Sequence, residues 1–172
     1  MKVSASGSQA AQIGCYAAIG LAITDTVTVS YGAQSVTGFD WVIVESTGFA
    51  AGLANAIPTG QIGIAGPTSS GTPSASLVAA PLVDSLTLGF SYQETNAAFT
   101  AGTNFTKLQE TAGHINPGSR AAVEADNGTA QQTCNWTITS ATWFAMAVEV
   151  RAATARSRLY VSNEAVRRAS RW

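Results

Sequence analysis

Charged side chains are scarce in this chain: they make up 11% of its residues, against roughly a quarter in an ordinary soluble domain. Ala, Ser, Thr and Gly stand in their place. A surface helix needs Glu, Lys, Gln or Arg along its wet face, and this composition cannot supply several of them. A strand needs less, because Thr and Ser can face water while small apolar residues face inward. The scarcity of charge therefore predicts an all-β fold. At 172 residues the chain suits one domain, long enough to bury a core without metal or disulfide staples.

Apolar and polar residues alternate with a period of two along much of the sequence. Thr26-Val27-Thr28-Val29-Ser30 alternates cleanly. Trp41-Val42-Ile43-Val44-Glu45 is apolar on both faces until its last residue, as in a central strand. Further strands are predicted over 61–64, 85–91, 133–139 and 142–150. Leu86, Leu88 and Phe90 then share one face, and Cys134, Trp136 and Ile138 share another. Trp41, Trp136 and Trp143 fall inside these strands and are expected in or near the core. Residues 65–73, 114–118 and 126–128 read as turns, and Asn127-Gly128 is a hairpin signal. Strands separated by such turns make a sandwich or a barrel.

The near-neutral total conceals two unlike parts. Through Val150, three basic residues (Lys2, Lys107 and Arg120) face nine acids, a net −6. Beyond it, six arginines face Glu164 alone, a net +5. The predicted organisation is a β-sandwich over residues 1–153 and a basic arm over 154–172. The arm mixes Arg156, Arg158, Arg167, Arg168 and Arg171 with Leu159, Tyr160 and Trp172. Permanent disorder needs lower hydrophobicity. Arginine can pair with phosphate, which would suit nucleic acid, but Arg beside aromatics is also the composition of protein interfaces. Docking onto a neighbouring chain is the favoured reading.

Little in the sequence suggests catalysis. His114 is the only histidine, in a stretch that reads as an exposed loop, and no nucleophile elbow accompanies it. Cys15 and Cys134 lack metal-site spacing and read as two small buried apolar residues rather than a disulfide. Glu45 and Glu149 each end an apolar strand. As a pair they would suggest glycoside hydrolysis, but the plainer expectation is two acids pointing into water. Tyr92, Phe99 and Phe105, in a loop-rich stretch, are candidates for stacking on a glycan; the competing expectation is that they cover the sandwich ends. Asn104, Asn127 and Asn135 head glycosylation sequons. Lys2 is followed by Ser, Gly and Gln rather than an apolar run, so no secretory leader is expected and the sequons read as accidental. No stretch is apolar enough for a membrane span.

Two segments resemble a jelly-roll-like β-sandwich module of phage virion proteins and bacterial surface proteins. Trp41-Val42-Ile43-Val44-Glu45-Ser46-Thr47-Gly48-Phe49 resembles its V-x-E-x-x-G strand exit. Residues 143–153, with Glu149-Val150-Arg151-Ala152, resemble its last strand. The likeness covers roughly residues 20–153, with shortened front strands and an added arm. It implies an antiparallel jelly-roll-like sandwich without a catalytic set or cofactor. The expected role is a structural component of a virion, such as a capsid decoration or tail protein, whose partners are copies of itself or neighbouring virion proteins. The alternative is a carbohydrate- or receptor-binding module at a bacterial surface or secreted.

Overall fold

The computed structural model describes residues 2–6, 12–16, 44–46, 48–112, 119–153 and 159–160. The chain is mostly strand. In order it forms β1 (Lys2–Ser6), β2 (Gln12–Tyr16), β3 (Glu45–Ser46), the single helical turn α1 (Leu53–Ala56) and a 3-10 turn at Thr59–Gln61. Then follow β4 (Gly63–Ser70), β5 (Ser74–Ser76), β6 (Leu86–Gln93), β7 (Thr100–Ala101) and β8 (Phe105–Ala112). The last strands are β9 (Arg120–Asp126), β10 (Thr133–Thr137), β11 (Ala141–Val150) and β12 (Leu159–Tyr160).

Pairing is antiparallel throughout and nested. β4 pairs with β11, β5 with β10 and β6 with β9, so the second half of this region runs back along the first. Folding that long hairpin over adds β6 beside β11 and β7 beside β10. The result is a five-stranded sheet, β4-β11-β6-β9-β8, and a three-stranded sheet, β5-β10-β7. The β1–β2 hairpin lies beside β4. Both edges of the larger sheet are blunted against further pairing. Pro67 removes an N–H from β4, and β8 bulges between Lys107 and Gln109.

The central strands of the larger sheet are buried on both faces, which is why β11 reads as an almost unbroken apolar run. Met146, Val148 and Val150 join Leu88 and Ala125 on its outer face, beneath Val44, Phe49, Ile57 and Ile62. The stretch 44–62 is thus a third layer, tied down where the Arg151 amide donates to the Ala56 carbonyl at 2.8 Å. Leu86, Leu88 and Phe90 do share a face, and it is this outer one. Between the sheets lie Leu77, Phe99, Phe105, Cys134, Trp136 and Ile138 against Ala145 and Ala147. Phe99 packs edge-on to Trp136, with ring centroids 6.4 Å apart. These large rings force small residues opposite. A Cβ on Gly89 would sit 2.7 Å from the Trp136 ring and 2.8 Å from the Cys134 Cβ. Gly89→Ala should therefore lower stability by about 1–3 kcal/mol, the usual penalty for overpacking a filled core. A urea midpoint equal to that of the unchanged protein would refute this fit.

Three expectations need correcting. Residues 65–70 are strand, not turn: Gly and Pro here mark an edge strand. Asn127-Gly128 does turn, with Gly128 at φ 89°, but it leads from β9 in one sheet to β10 in the other and closes no hairpin. Glu45 belongs to a two-residue strand that pairs with β12, not to a central strand. The predicted strand at 26–30 and residues 41–43 lie outside the described residues.

Candidate docking site

The inward face of β6, β9 and β11 carries Thr87, Gln93, Glu124, Asp126 and Glu149, all buried. A buried carboxylate is tolerated where fixed donors replace its water, and here those donors come from loops. Glu149 Oε1 accepts the Leu82 amide and the Ser85 hydroxyl, both at 2.8 Å, while Oε2 lies 3.2 Å from Arg151 Nε. Asp126 accepts the Thr87 amide at 2.6 Å and the Gly128 amide at 3.1 Å. Glu124 Oε2 accepts the Gly102 amide at 3.2 Å, and the Asn135 amide also bonds this carboxylate.

Each carboxylate thus pins one loop. Glu149 holds β5–β6, Glu124 holds β7–β8 and Asp126 holds β9–β10. All three loops lie at the end of the sandwich where β11 finishes, Val150 standing opposite Leu86 at the start of β6. The loops are also tied together. Leu77 donates to the Gln132 carbonyl and Asn127 to the Asn104 carbonyl, and the Thr87 hydroxyl reaches the Gln131 carbonyl. Asp84 and Asn104 adopt left-handed backbone at φ 68° and 67°. This end is held in shape before anything binds.

What it presents is apolar. Val83 is 90% exposed, Val78 70% and Leu82 54%. Residues 81–84 form one wall of an open cleft of about 270 Å³, and residues 128–130 form the other. Single exposed apolar residues are ordinary, but a cluster on one loop makes this a candidate contact surface.

The residues singled out from sequence are dispersed. Phe99 and Phe105 are 2% and 7% exposed inside the core, so the expectation that they offer rings to a glycan is corrected. Tyr92 is half-buried, its ring 6.4 Å from that of Phe144. Glu149 does not point into water; burial and the loop amides claim it. Cys134 is buried and free. Burial, with the charges of Glu124 and Asp126, pushes its thiol far above the ordinary range, so it is no nucleophile. The Asn residues of all three sequons are exposed. Leu159 and Tyr160 pair through their backbone with Ser46 and Glu45 of the same chain. Arg156, Arg158, Arg167, Arg168, Arg171, Trp172 and His114 lie outside the described residues.

The charge split also changes meaning. Glu124, Asp126 and Glu149 are inside, and Glu110 is bonded to both Lys107 and Arg120. These four acids are therefore buried or paired rather than free at the surface, and apolar contact gains weight over charge attraction. Among the described residues no three His, Cys, Asp or Glu are placed to hold a metal. No helix among them is long and apolar enough to cross a membrane.

Comparison with protein-family models, curated proteins and solved structures finds no match to this chain. Its functional reading rests on its own residues.

Proposed function

We propose that the chain is a jelly-roll structural component of a virion or surface assembly, docking to copies of itself through its arginine-rich C-terminal arm. The strand orders β4-β11-β6-β9 and β5-β10-β7 support the jelly-roll reading, because nested Greek keys wrap a sandwich in this way. The observation that carries the functional part is the rigid apolar loop end. Val78, Leu82 and Val83 stand in water on a loop that a buried carboxylate holds fixed. Such a surface loses little entropy on docking and is a liability in a monomer. A net charge of only −1 does little to keep copies apart. Glu149, one of the two acids that suggested a hydrolase, fits this reading too, since it is taken up by the Leu82 amide and the Ser85 hydroxyl.

Truncation after Tyr160 spares the β12–β3 pairing and removes the rest of the arm. The expected result is a folded protein, by circular dichroism, that runs as a monomer in size-exclusion chromatography with light scattering where the full chain runs as an oligomer. If the shortened chain assembles as well as the full one, the arm is not the docking element.

A further inference from the structure

The remaining question is what covers the apolar loop. We infer that residues 78–84, with the cleft beside them, are the receptor for residues 161–172 of a second copy of this chain. This rests on the arm-docking reading above and adds where the arm lands.

Three observations converge. The first is place. β11 ends level with the three loops, so the chain enters its arm at the same end of the sandwich that bears the cleft. The second is chemistry. Beyond β12 the arm offers Val161, Val166 and Trp172 among Arg167, Arg168 and Arg171. The cleft offers Pro81, Leu82 and Val83 with Asp84 at its rim. The apolar residues of the arm match the apolar wall of the cleft in kind.

The third concerns which copy supplies the arm. The chain leaving β11 runs antiparallel along 48–50, with the Ala50 amide donating to Arg151 and the Ala153 amide to Gly48, and β12 then pairs with β3. Phe49 and Val44 of that stretch pack on the outer face of the five-stranded sheet. The loop is held by Glu149 from the inward face. A copy's own arm therefore leaves on the outer side of its five-stranded sheet. Twelve further residues reach at most about 40 Å when extended, enough to cross to a neighbour set end to end. Arm and cleft at the same end also allow a two-fold exchange, in which each copy gives one arm and receives one.

The test uses the full chain. Val83→Asp should weaken self-association by about tenfold or more, as expected when a charge is forced into an apolar contact. Because Val83 is 90% exposed, its replacement should leave the circular dichroism spectrum of the folded chain in place. Ile64→Asp, at an exposed position on β4, should not weaken association. In a Cys15→Ser background, Val83→Cys chains mixed with Trp172→Cys chains should give a disulfide-linked dimer holding one of each. Assembly untouched by Val83→Asp but lost on truncation after Tyr160 would overturn this receptor and leave the arm-docking reading standing. A chain carrying both cysteines that links only within itself would overturn the second copy. A full chain that stays monomeric removes both readings together.

Discussion

Glu149→Ala is expected to lower stability by about 3–5 kcal/mol, the usual loss when one member of a buried charged network is removed. Two donors, the Leu82 amide and the Ser85 hydroxyl, would lose their shared acceptor, and Arg151 would lose its partner. Buried donors left unpaired cost more than the bond itself contributed. For a domain of this size that corresponds to a fall in melting temperature of roughly 10 °C. Glu149→Gln keeps an acceptor for the loop and a similar volume, so its loss should be about 1–2 kcal/mol. Hydrogen exchange should localise the damage. The Leu82 and Ser85 amides should exchange much faster in Glu149→Ala, beyond any change at the amides of β11. A carboxylate merely facing water at the sandwich rim would give an alanine variant within about 0.5 kcal/mol of the parent, and that result would sink the clasp.

The most regular strands are legible: β6 and β10 lie almost where period two puts them, and β11 lies where its long apolar run does. Elsewhere the information is not local. β4 hides behind Gly66 and Pro67, which signal a turn unless the strand is known to be an edge. β8 and β9 carry Lys107, Glu110, Arg120 and Glu124, and the bulge at Lys107 and Gln109 breaks their alternation. Asn127-Gly128 announces a turn correctly, but no dipeptide says which strands it joins. The acids show the same limit. A strand-terminal Glu reads alike whether its side chain faces solvent or the gap between two sheets, and summing charges treats every carboxylate as solvated. One further signal is in the sequence: residues 78–83, just past the core residue Leu77, are an apolar run broken by Pro81 and too irregular for a strand. Such a run between two strands is a reason to look for a contact surface.

Glu124 should make the stability of this protein fall as pH rises through neutrality. It is fully buried on β9, and Oε1 has no hydrogen-bond partner. Lys107 stands opposite in register, but its ammonium is spent on Glu110 and on the Phe99 carbonyl. Asp126 and Cys134, the ionisable neighbours on β9 and β10, bring no positive charge. Burial therefore raises the carboxyl from 4.5 to about 7, with the Gly102 and Asn135 amides opposing in part. A pKa higher in the folded than the unfolded state means that the stabilisation is complete below about 4.5 and is lost as pH climbs through about 7. The loss is about 3 kcal/mol once ionisation is complete. Glu110 has the opposite sign. Burial pushes it up, but hydrogen bonds from Lys107, the Phe99 amide and Arg120 outweigh this and hold it below its ordinary value. Its contribution is therefore lost towards acid. Glu124→Gln leaves Glu110 untouched, keeps an acceptor for the two amides and cannot ionise. Urea unfolding of both proteins between pH 5 and 9 should give similar stabilities at pH 5 and a variant more stable by about 2–3 kcal/mol at pH 8–9. Parallel curves across that range would mean that Glu124 keeps an ordinary pKa despite its burial.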